Sequence, residues 1–341
     1  MPRRTRSATS ADAALLALSL VALAGCSPEA PAAGAGEAGS GGSAAPVTLD
    51  NCGFDVTVPE PPERVVTIKS STTEMLLALG LGDRIVGSAF LDGPVPENLA
   101  DAAAGVPAVA EPMADQVPGA EAVLGLEPDL VYAGWESNLT AEGAGDRDTL
   151  AQLGVATYVS PSACKEPGYQ PDPLTFDDVF AEIGEAGEIF GATTEAAALV
   201  DEQRTTLDAV APNDRGLSAL WYSSGDDIPY VGAGIGAPQM IMDAVGLENV
   251  AGDVQDTWTS FAWEEAIAAD PDVIVLVDAA WNTAEDKIAR LEGNEATARM
   301  TAVRERRYLT VPFPATEAGV RNVGAVVDLT QQLGQLEGVG R

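Results

Sequence analysis

The sequence predicts an α/β fold with two Rossmann-like lobes, each built on a parallel sheet, joined by a long helical connection. Short apolar runs rich in β-branched residues do not alternate in polarity, which is typical of parallel strands covered on both faces. These runs are residues 64–68, 129–133, 156–159, 218–222, 272–277 and 308–311. Helix-like segments separate them, at residues 72–79, 120–126, 148–153, 263–268, 296–299 and 322–336. Such alternation favours parallel sheets with helices packed on their faces.

A repeated local pattern indicates that there are two lobes. Residues 127–132 and residues 269–275 each follow a helical segment, pass through an acidic-Pro-Asp sequence and enter a buried strand. In both places the proline ends the helix before the strand begins. We therefore expect a first lobe at residues 47–172 and a second lobe at residues 213–341.

The longest helical pattern lies between the halves, at residues 176–210. Gly184, Gly187 and Gly191 are candidate interruptions, and residues 192–195 resemble a second helix start. We interpret residues 173–212 as the helical connection. A rigid helical crossing would restrict hinge closure between the lobes.

Composition excludes several classes of function. The 341 residues include 52 Asp and Glu against 18 Lys and Arg, a formal charge of -34, which repels nucleic acid. An anionic ligand would therefore need local basic residues. The chain has no histidine, so Ser-His-Asp and Cys-His catalysis and the usual histidine metal sites are excluded. We therefore predict no catalytic residues, no metal and no cofactor. One enzyme alternative stays open: a glycosidase-like enzyme that uses two carboxylates, with Glu136 paired with Asp92 or with Asp226 and Asp227.

The start of the chain has the features of a lipoprotein signal. Basic residues precede an apolar run at residues 13–24, which is shorter than the ~20 residues that span a membrane. Residues 23–26 read Leu-Ala-Gly-Cys, a bacterial lipobox, so we predict a signal peptide at residues 1–25 and lipidation of Cys26. The alternative is an ordinary cleaved signal with a chance cysteine. Residues 26–46 consist mainly of small residues and predict a flexible tether, which places the folded part outside the cell membrane.

Two further cysteines, Cys52 and Cys164, remain for the folded part. In an oxidising compartment an even number of cysteines predicts a disulfide. Such a bridge would stabilise the fold by about 4–5 kcal/mol in the chain-entropy model. Two buried free thiols are the alternative.

Five short motifs, in this order and spacing, resemble one family over nearly everything from Val47 onward. They are residues 62–66, 73–80, 127–131, 150–155 and 270–275. The family comprises the substrate-binding proteins of iron-siderophore and cobalamin ABC importers. The resemblance implies a class III periplasmic-binding-protein-like fold and a monomer without enzymatic activity. It also implies capture of a small-molecule ligand and its delivery to an ABC permease dimer.

The resemblance also implies one surface glutamate per lobe that contacts the permease. The matching residues are Glu74 in the first lobe and Glu264 in the second, with Glu265 as a close alternative. Ser71 and Glu74 have the spacing of a capping box. The alternative for Glu74 is therefore a local role, in which its side chain caps the N-terminus of the helix. A solvated helix charge is the alternative for Glu264.

In this family the ligand lies between the lobes, against loops at the carboxyl ends of the strands. Tryptophans there can stack on a planar ring, and basic side chains can bind carboxylate or phosphate. Local packing and surface ion pairs are the alternatives. The predicted ligand-binding residues are Lys69, Ser70, Ser71, Phe90, Trp135, Glu136, Arg147, Tyr222, Ser223, Trp258, Trp281 and Arg321.

Residues 68–75, 132–138 and 161–164 are similar to a narrower subgroup, proposed to import a precursor of the deazaflavin coenzyme in actinobacteria. That ligand combines a flat tricycle, a ribityl chain, a phosphodiester and a carboxylate. A ferric siderophore or cobalamin is the alternative within the same transporter class. An anchored scaffold protein is a distant alternative.

Overall fold

The computed structural model describes residues 46–166, 168–170 and 172–336. The predicted signal peptide, the lipidation site Cys26 and residues 26–45 of the tether lie outside the described residues. Within the described part, no helix is both long enough and apolar enough to cross a membrane.

The first lobe contains a hairpin and a four-stranded sheet. The hairpin is antiparallel and consists of β1 (Val47–Asn51) and β2 (Phe54–Val58). The sheet strands are β3 (Val65–Ile68), β4 (Ile85–Ala89), β5 (Leu130–Ala133) and β6 (Ala156–Val159). All are parallel, in the order β4-β3-β5-β6, as predicted for the first lobe.

Helices cover both faces of this sheet. They are α1 (Ser70–Ala78), α2 (Ala100–Ala103), α3 (Pro107–Ala110), α4 (Ala120–Leu124) and α5 (Arg147–Gln152). Successive residues of β3 belong to hydrophobic cores on opposite faces of the sheet. Val65 shares one core with Leu76 of α1, whereas Val66 shares the other with Val123 of α4. This two-sided burial explains why the strand sequence is apolar throughout.

The connection between the lobes consists of two packed helices, α6 (Phe176–Phe190) and α7 (Thr193–Asp208), rather than one continuous helix. A capping box at Thr175 starts α6, and Gly191 ends it with a φ of 67°. A Cβ on Gly187 would lie 2.5 Å from the Cβ of Ala196, so glycine permits the two helices to approach closely.

The second lobe has a six-stranded sheet. Its strands are β7 (Leu217–Ser224), β8 (Tyr230–Gly232), β9 (Leu247–Asn249), β10 (Trp258–Ser260), β11 (Val273–Asp278) and β12 (Tyr308–Pro312). The order is β10-β8-β7-β11-β12, with β9 also paired to β7. The pairs β7–β9, β7–β11 and β11–β12 are parallel, but β8 and β10 are antiparallel. The second sheet is therefore mixed, which the sequence did not predict.

Five helices complete the second lobe. They are α8 (Ala237–Val245), α9 (Trp263–Ala269), α10 (Ala284–Gly293), α11 (Thr301–Arg304) and α12 (Asn322–Gln335). Helix α12 packs against α8 and β12 and also contacts α7 of the connection. The connection is therefore packed directly on the second lobe.

The β1–β2 hairpin is held to the first sheet by covalent and polar contacts. The predicted disulfide between Cys52 and Cys164 is confirmed. Beside it, Arg147 donates to the carbonyl oxygen of Asn51 at 2.7 Å and to the hydroxyl of Thr157 at 3.0 Å. Burial lowers the pKa of Arg147 to about 10, so the side chain keeps its charge at neutral pH.

Candidate ligand-binding cleft

One cleft of about 450 Å³ lies at the carboxyl ends of parallel strands of both sheets, and the antiparallel β8 and β10 contribute their first residues, Tyr230 and Trp258. Clefts that bind small molecules span roughly 300–1,000 Å³. Six of the residues predicted from sequence line it: Ser71, Trp135, Glu136, Ser223, Trp258 and Trp281. Carboxyl-end loops of open α/β sheets are where this type of fold binds ligands.

Aromatic side chains form much of the lining. Trp281 is 61% exposed and meets Phe313 edge-on, with ring centroids 5.8 Å apart. On the same lobe, Trp258 and Tyr230 stack almost parallel at 6.0 Å. Trp135 comes from the first lobe. Both lobes thus present π faces to the cleft.

A strained turn places the residues at the start of α1. Lys69 has a φ of 92° and precedes α1 without a side-chain cap. Such a conformation is costly for a residue with a side chain and is characteristic of functional sites. Gly134 at the end of β5 permits it, because a Cβ there would lie 2.8 Å from the Cβ of Lys69.

Lys69 does not face the cleft as a free cation. Its side chain is fully buried, and Nζ lies 2.5 Å from Oδ1 of Asp92 and 3.4 Å from Oε1 of Glu317. Nζ also lies 3.7 Å from the ring centroid of Trp135 and 5.0 Å from that of Phe313. Because Glu317 belongs to the second lobe, this cluster joins the two lobes behind the aromatic lining.

The two carboxylates of this cluster compete for one ammonium group. Burial raises the pKa of Asp92 and of Glu317, while the charge of Lys69 opposes both shifts. The carboxylate of Asp92 contacts Lys69, which leaves it unsuited to the acid-base pair with Glu136 that was one of the two forms of the enzyme alternative.

A second ion pair also joins the lobes. Nε of Arg321, at the start of α12, donates to Oε2 of Glu74 on α1 at 2.5 Å, and Nη2 donates to Oε1. Nη2 donates in addition to the carbonyl oxygen of Pro94 at 2.8 Å. Glu74 is only 2% exposed, and burial raises its pKa although Arg321 favours the charged form.

Several predicted residues therefore have other contacts. The capping-box interpretation of Glu74 is wrong, since α1 begins at Ser70 without a side-chain cap and Glu74 contacts Arg321 instead. Its burial also leaves no surface carboxylate for a permease. Arg147 binds the hairpin, and Arg321 binds Glu74, so neither offers a free charge to the cleft.

The remaining predicted residues support the cleft from behind. Ser70 accepts a hydrogen bond from the backbone N–H of Asp92 at 2.9 Å, and Phe90 packs edge-on against Trp135 at 5.5 Å. Tyr222 is fully buried and donates to the carbonyl oxygen of Gly225 at 2.7 Å. None of the three belongs to the lining.

The structure also reveals lining residues that the sequence analysis missed. They include Ser160, Ser162, Lys165, Tyr230, Thr257, Phe313, Thr316 and Glu317. Phe313 and Glu317 follow β12, whose strand was predicted, so the rule that ligands meet the carboxyl ends of strands would have found them. Lys165 carries the cationic side chain of the lining, and its Nζ donates to the hydroxyl of Thr257 at 2.9 Å.

Comparison with known proteins agrees with this architecture. The model of the periplasmic binding protein family matches residues 65–315. The chain belongs to that family. The sequence-based interpretation of the fold and of a binding protein that is not an enzyme is confirmed.

Three relatives illustrate the similarity. An uncharacterised ABC transporter substrate-binding lipoprotein of Bacillus subtilis is 27% identical over 84% of this chain and 85% of its own length. A cobalamin-binding protein of Halobacterium salinarum is 28% identical over 66% of this chain, which spans 59% of that protein. A third relative is the protein in a crystal structure of an ABC-type Fe3+-hydroxamate transport system from Saccharomonospora viridis, which is 26% identical in sequence. The structural match covers 85% of this chain and 99% of that chain, with a TM-score of 0.71. The chain is thus a substrate-binding protein of an ABC transporter.

Proposed function

We propose that the chain is a monomeric, lipid-anchored extracytoplasmic protein that captures a ring-containing, anionic cofactor precursor of the deazaflavin type and delivers it to an ABC permease. The observation that carries the proposal is the interlobe cleft lined by three tryptophans, Trp135, Trp258 and Trp281. Planar π systems stack favourably on such side chains. The relatives named above supply the transport class, and the subgroup motifs supply the ligand.

Size favours this ligand over a corrinoid. The cleft of about 450 Å³ suits a tricycle with one flexible chain. Cobalamin, with its corrin ring and nucleotide arm, is much larger and would require the lobes to move apart. In the structure two buried ion pairs, Lys69–Glu317 and Arg321–Glu74, oppose such a movement.

The anionic end of the ligand has a different partner from the one predicted. Lys69, Arg147 and Arg321 are committed to other residues, whereas Lys165 is about half exposed and lines the cleft. Its Nζ contacts Thr257, and Thr257 packs against Gly236 at the start of α8. We propose that a phosphodiester or carboxylate binds here and displaces Asp256, which lies 3.7 Å from Lys165 and is half exposed.

Permease docking is proposed to use equivalent glutamates of the two lobes. Glu264 lies seven residues before Pro271, is exposed and occupies the first turn of α9. Glu121 lies seven residues before Pro128, is also exposed and occupies the first turn of α4. The repeat that defines the lobes therefore assigns Glu121, rather than the buried Glu74, as the partner of Glu264.

Tryptophan fluorescence tests the ligand assignment. The soluble form that begins at Ser27, after the lipidation site, would be titrated with a deazaflavin nucleotide precursor, a set of ferric siderophores and cobalamin. We expect saturable quenching by the deazaflavin compound alone, weakened about tenfold in Trp281→Ala. Ile228→Ala is the matched control, because Ile228 is equally exposed, at 61%, and does not line the cleft. Binding of a siderophore or cobalamin instead would reject the deazaflavin assignment and keep the transport class.

Uptake by cells tests docking separately from binding. The double variant Glu121→Ala, Glu264→Ala should lower ligand uptake while leaving the Kd of the purified protein unchanged. Glu285→Ala removes an exposed glutamate from the first turn of α10 and serves as the control. Unchanged uptake in the double variant would refute the docking assignment.

A further inference from the structure

Glu317 lines the cleft, and one of its two carboxylate oxygens has no close hydrogen-bond donor among the described residues. It follows β12 and lines the cleft beside Phe313 and Thr316. Its Oε1 lies 3.4 Å from Nζ of Lys69, whereas its Oε2 is buried and has no partner within 3.5 Å among the described residues. The Trp135 side chain interacts with this carboxyl and helps to lower its pKa, but at a distance that leaves Oε2 without a close donor. A buried acceptor without a partner is unfavourable and points to a group that is supplied by the ligand.

The charges around Glu317 do not balance. Lys69 is shared with Asp92, whose Oδ1 is closer to the ammonium group, at 2.5 Å. The nearby Arg321 is occupied by Glu74 and by the carbonyl oxygen of Pro94. Two carboxylates therefore share one cation. Burial, with the nearby charge of Asp92, raises the pKa of Glu317 to about 7, so a donor from the ligand would favour its charged form. Oδ2 of Asp92 also lacks a partner, but Asp92 does not line the cleft.

We propose that Glu317 is a specificity-determining residue, whose carboxylate accepts a hydrogen bond from a ring N–H on the edge of the bound ligand. The inference rests on the proposed function and specifies the chemical class of the ring, a heterocycle with an N–H donor such as an imide. Hydrogen bonds to a charged acceptor are the strong ones, so this contact discriminates between rings.

The surroundings of Glu317 suit the edge of a planar ring. Lys69 Nζ, which contacts Glu317, lies 3.7 Å from the ring centroid of Trp135 and 5.0 Å from that of Phe313. Trp135, Phe313 and Glu317 all line the cleft, so a ring that packs on the cleft side of these aromatic residues would bring its edge to the carboxylate. Phosphate and carboxylate groups are repelled there, which directs the anionic tail of the ligand toward Lys165.

Two probes that differ by one methyl group test the proposal. They are 5-deazariboflavin, which has an imide N–H, and its N3-methyl derivative, titrated into the soluble form that begins at Ser27 by tryptophan fluorescence. The wild-type protein should prefer the N–H compound by tenfold or more. Glu317→Ala removes the acceptor and creates space for the methyl group, so the preference should fall to less than threefold.

Two further variants complete the test. Glu317→Gln keeps the shape and a neutral acceptor, and it should show an intermediate preference with an unchanged melting curve. Glu285→Gln alters an exposed glutamate outside the cleft lining, and it should keep the full preference. A preference that persists in Glu317→Ala, or equal binding of both probes by the wild type, would overturn the role of Glu317 and leave the proposed function intact. Binding of neither probe would overturn both.

Discussion

The interlobe ion pair between Arg321 and Glu74 allows a strong prediction for stability. In Arg321→Met the apolar stem of the side chain is largely kept, but the guanidinium group is lost. Glu74, only 2% exposed, then lies buried without its cationic partner. The carbonyl oxygen of Pro94 loses a donor as well.

The size of the effect follows from the burial of both partners. Removing one member of a buried pair typically costs 3–5 kcal/mol, since the other charge is left uncompensated. For a protein of this size each kcal/mol lowers Tm by roughly 2–4 °C, so we expect a fall on the order of 10 °C at pH 7.5. Burial already raises the pKa of Glu74, and loss of Arg321 raises it further. A protonated Glu74 needs no cation, so the loss should be smaller at pH 5.

Thermal unfolding monitored by circular dichroism measures this effect. The control is Arg306→Met, which removes an exposed pair: Arg306 is 75% exposed and lies 2.8 Å from Glu292. Exposed pairs contribute about 0–1 kcal/mol, so Tm should change by at most a few degrees. The double variant Glu74→Leu, Arg321→Met should recover much of the lost stability, because no charge remains buried. Equal effects of Arg321→Met and Arg306→Met would refute the reasoning.

Two further predictions concern the disulfide of the first lobe and a buried glutamate of the connection. Replacing Cys52 and Cys164 by serine should lower the free energy of unfolding by about 4–5 kcal/mol, since the bridge closes a 112-residue separation. Because Cys164 lies between the cleft residues Ala163 and Lys165, ligand affinity should weaken as well; chemical denaturation and titration test the two effects, and unchanged stability would contradict the first. Burial raises the pKa of Glu182 from 4.5 to about 7, so its stabilising contribution is complete below pH 4.5 and is lost as the pH rises through 7. In Glu182→Gln, the fall in unfolding free energy between pH 5 and pH 8 should be smaller than in the wild type by up to about 3 kcal/mol, and an unchanged pH dependence would contradict the assignment.

The central strands were predictable because burial on both faces leaves a clear apolar signal. Strand β6 has the predicted bounds, β3 and β5 each begin one residue later than predicted, and β11 is shifted by one residue at both ends. Other strands carry weaker signals. Strand β4 contains Gly87, where a Cβ would lie 2.4 Å from Cδ1 of Leu126, and β8 and β10 have only three residues each. Close packing and non-local pairing, rather than sequence periodicity, define these strands.

Charged residues were harder to interpret than apolar ones. Sequence identifies Lys69 and Arg321 as scarce cations near strand and helix ends, but it does not show which carboxylates meet them. The partners lie far along the chain: Glu74 is 247 residues from Arg321, and Glu317 is farther still from Lys69. The local spacing of Ser71 and Glu74 favoured a capping box. In the structure Glu74 instead forms a long-range ion pair with Arg321.

The two interlobe ion pairs also determine how a ligand can enter. Lys69 and Glu74 lie at the start of α1, and their partners Glu317 and Arg321 lie in one short segment before α12. Both contacts are therefore on the same side of the cleft, and opening that side would separate two buried ion pairs. Elsewhere across the cleft, Lys165 of the first lobe and Asp256 of the second lobe form an exposed pair, with Nζ 3.7 Å from Oδ1 and side chains 56% and 51% exposed. Exposed pairs contribute only about 0–1 kcal/mol, so this contact opens more easily than the two buried ones. We therefore expect the ligand to enter beside Lys165 and Asp256, with its ring N–H leading toward Glu317 and its anionic tail remaining near Lys165.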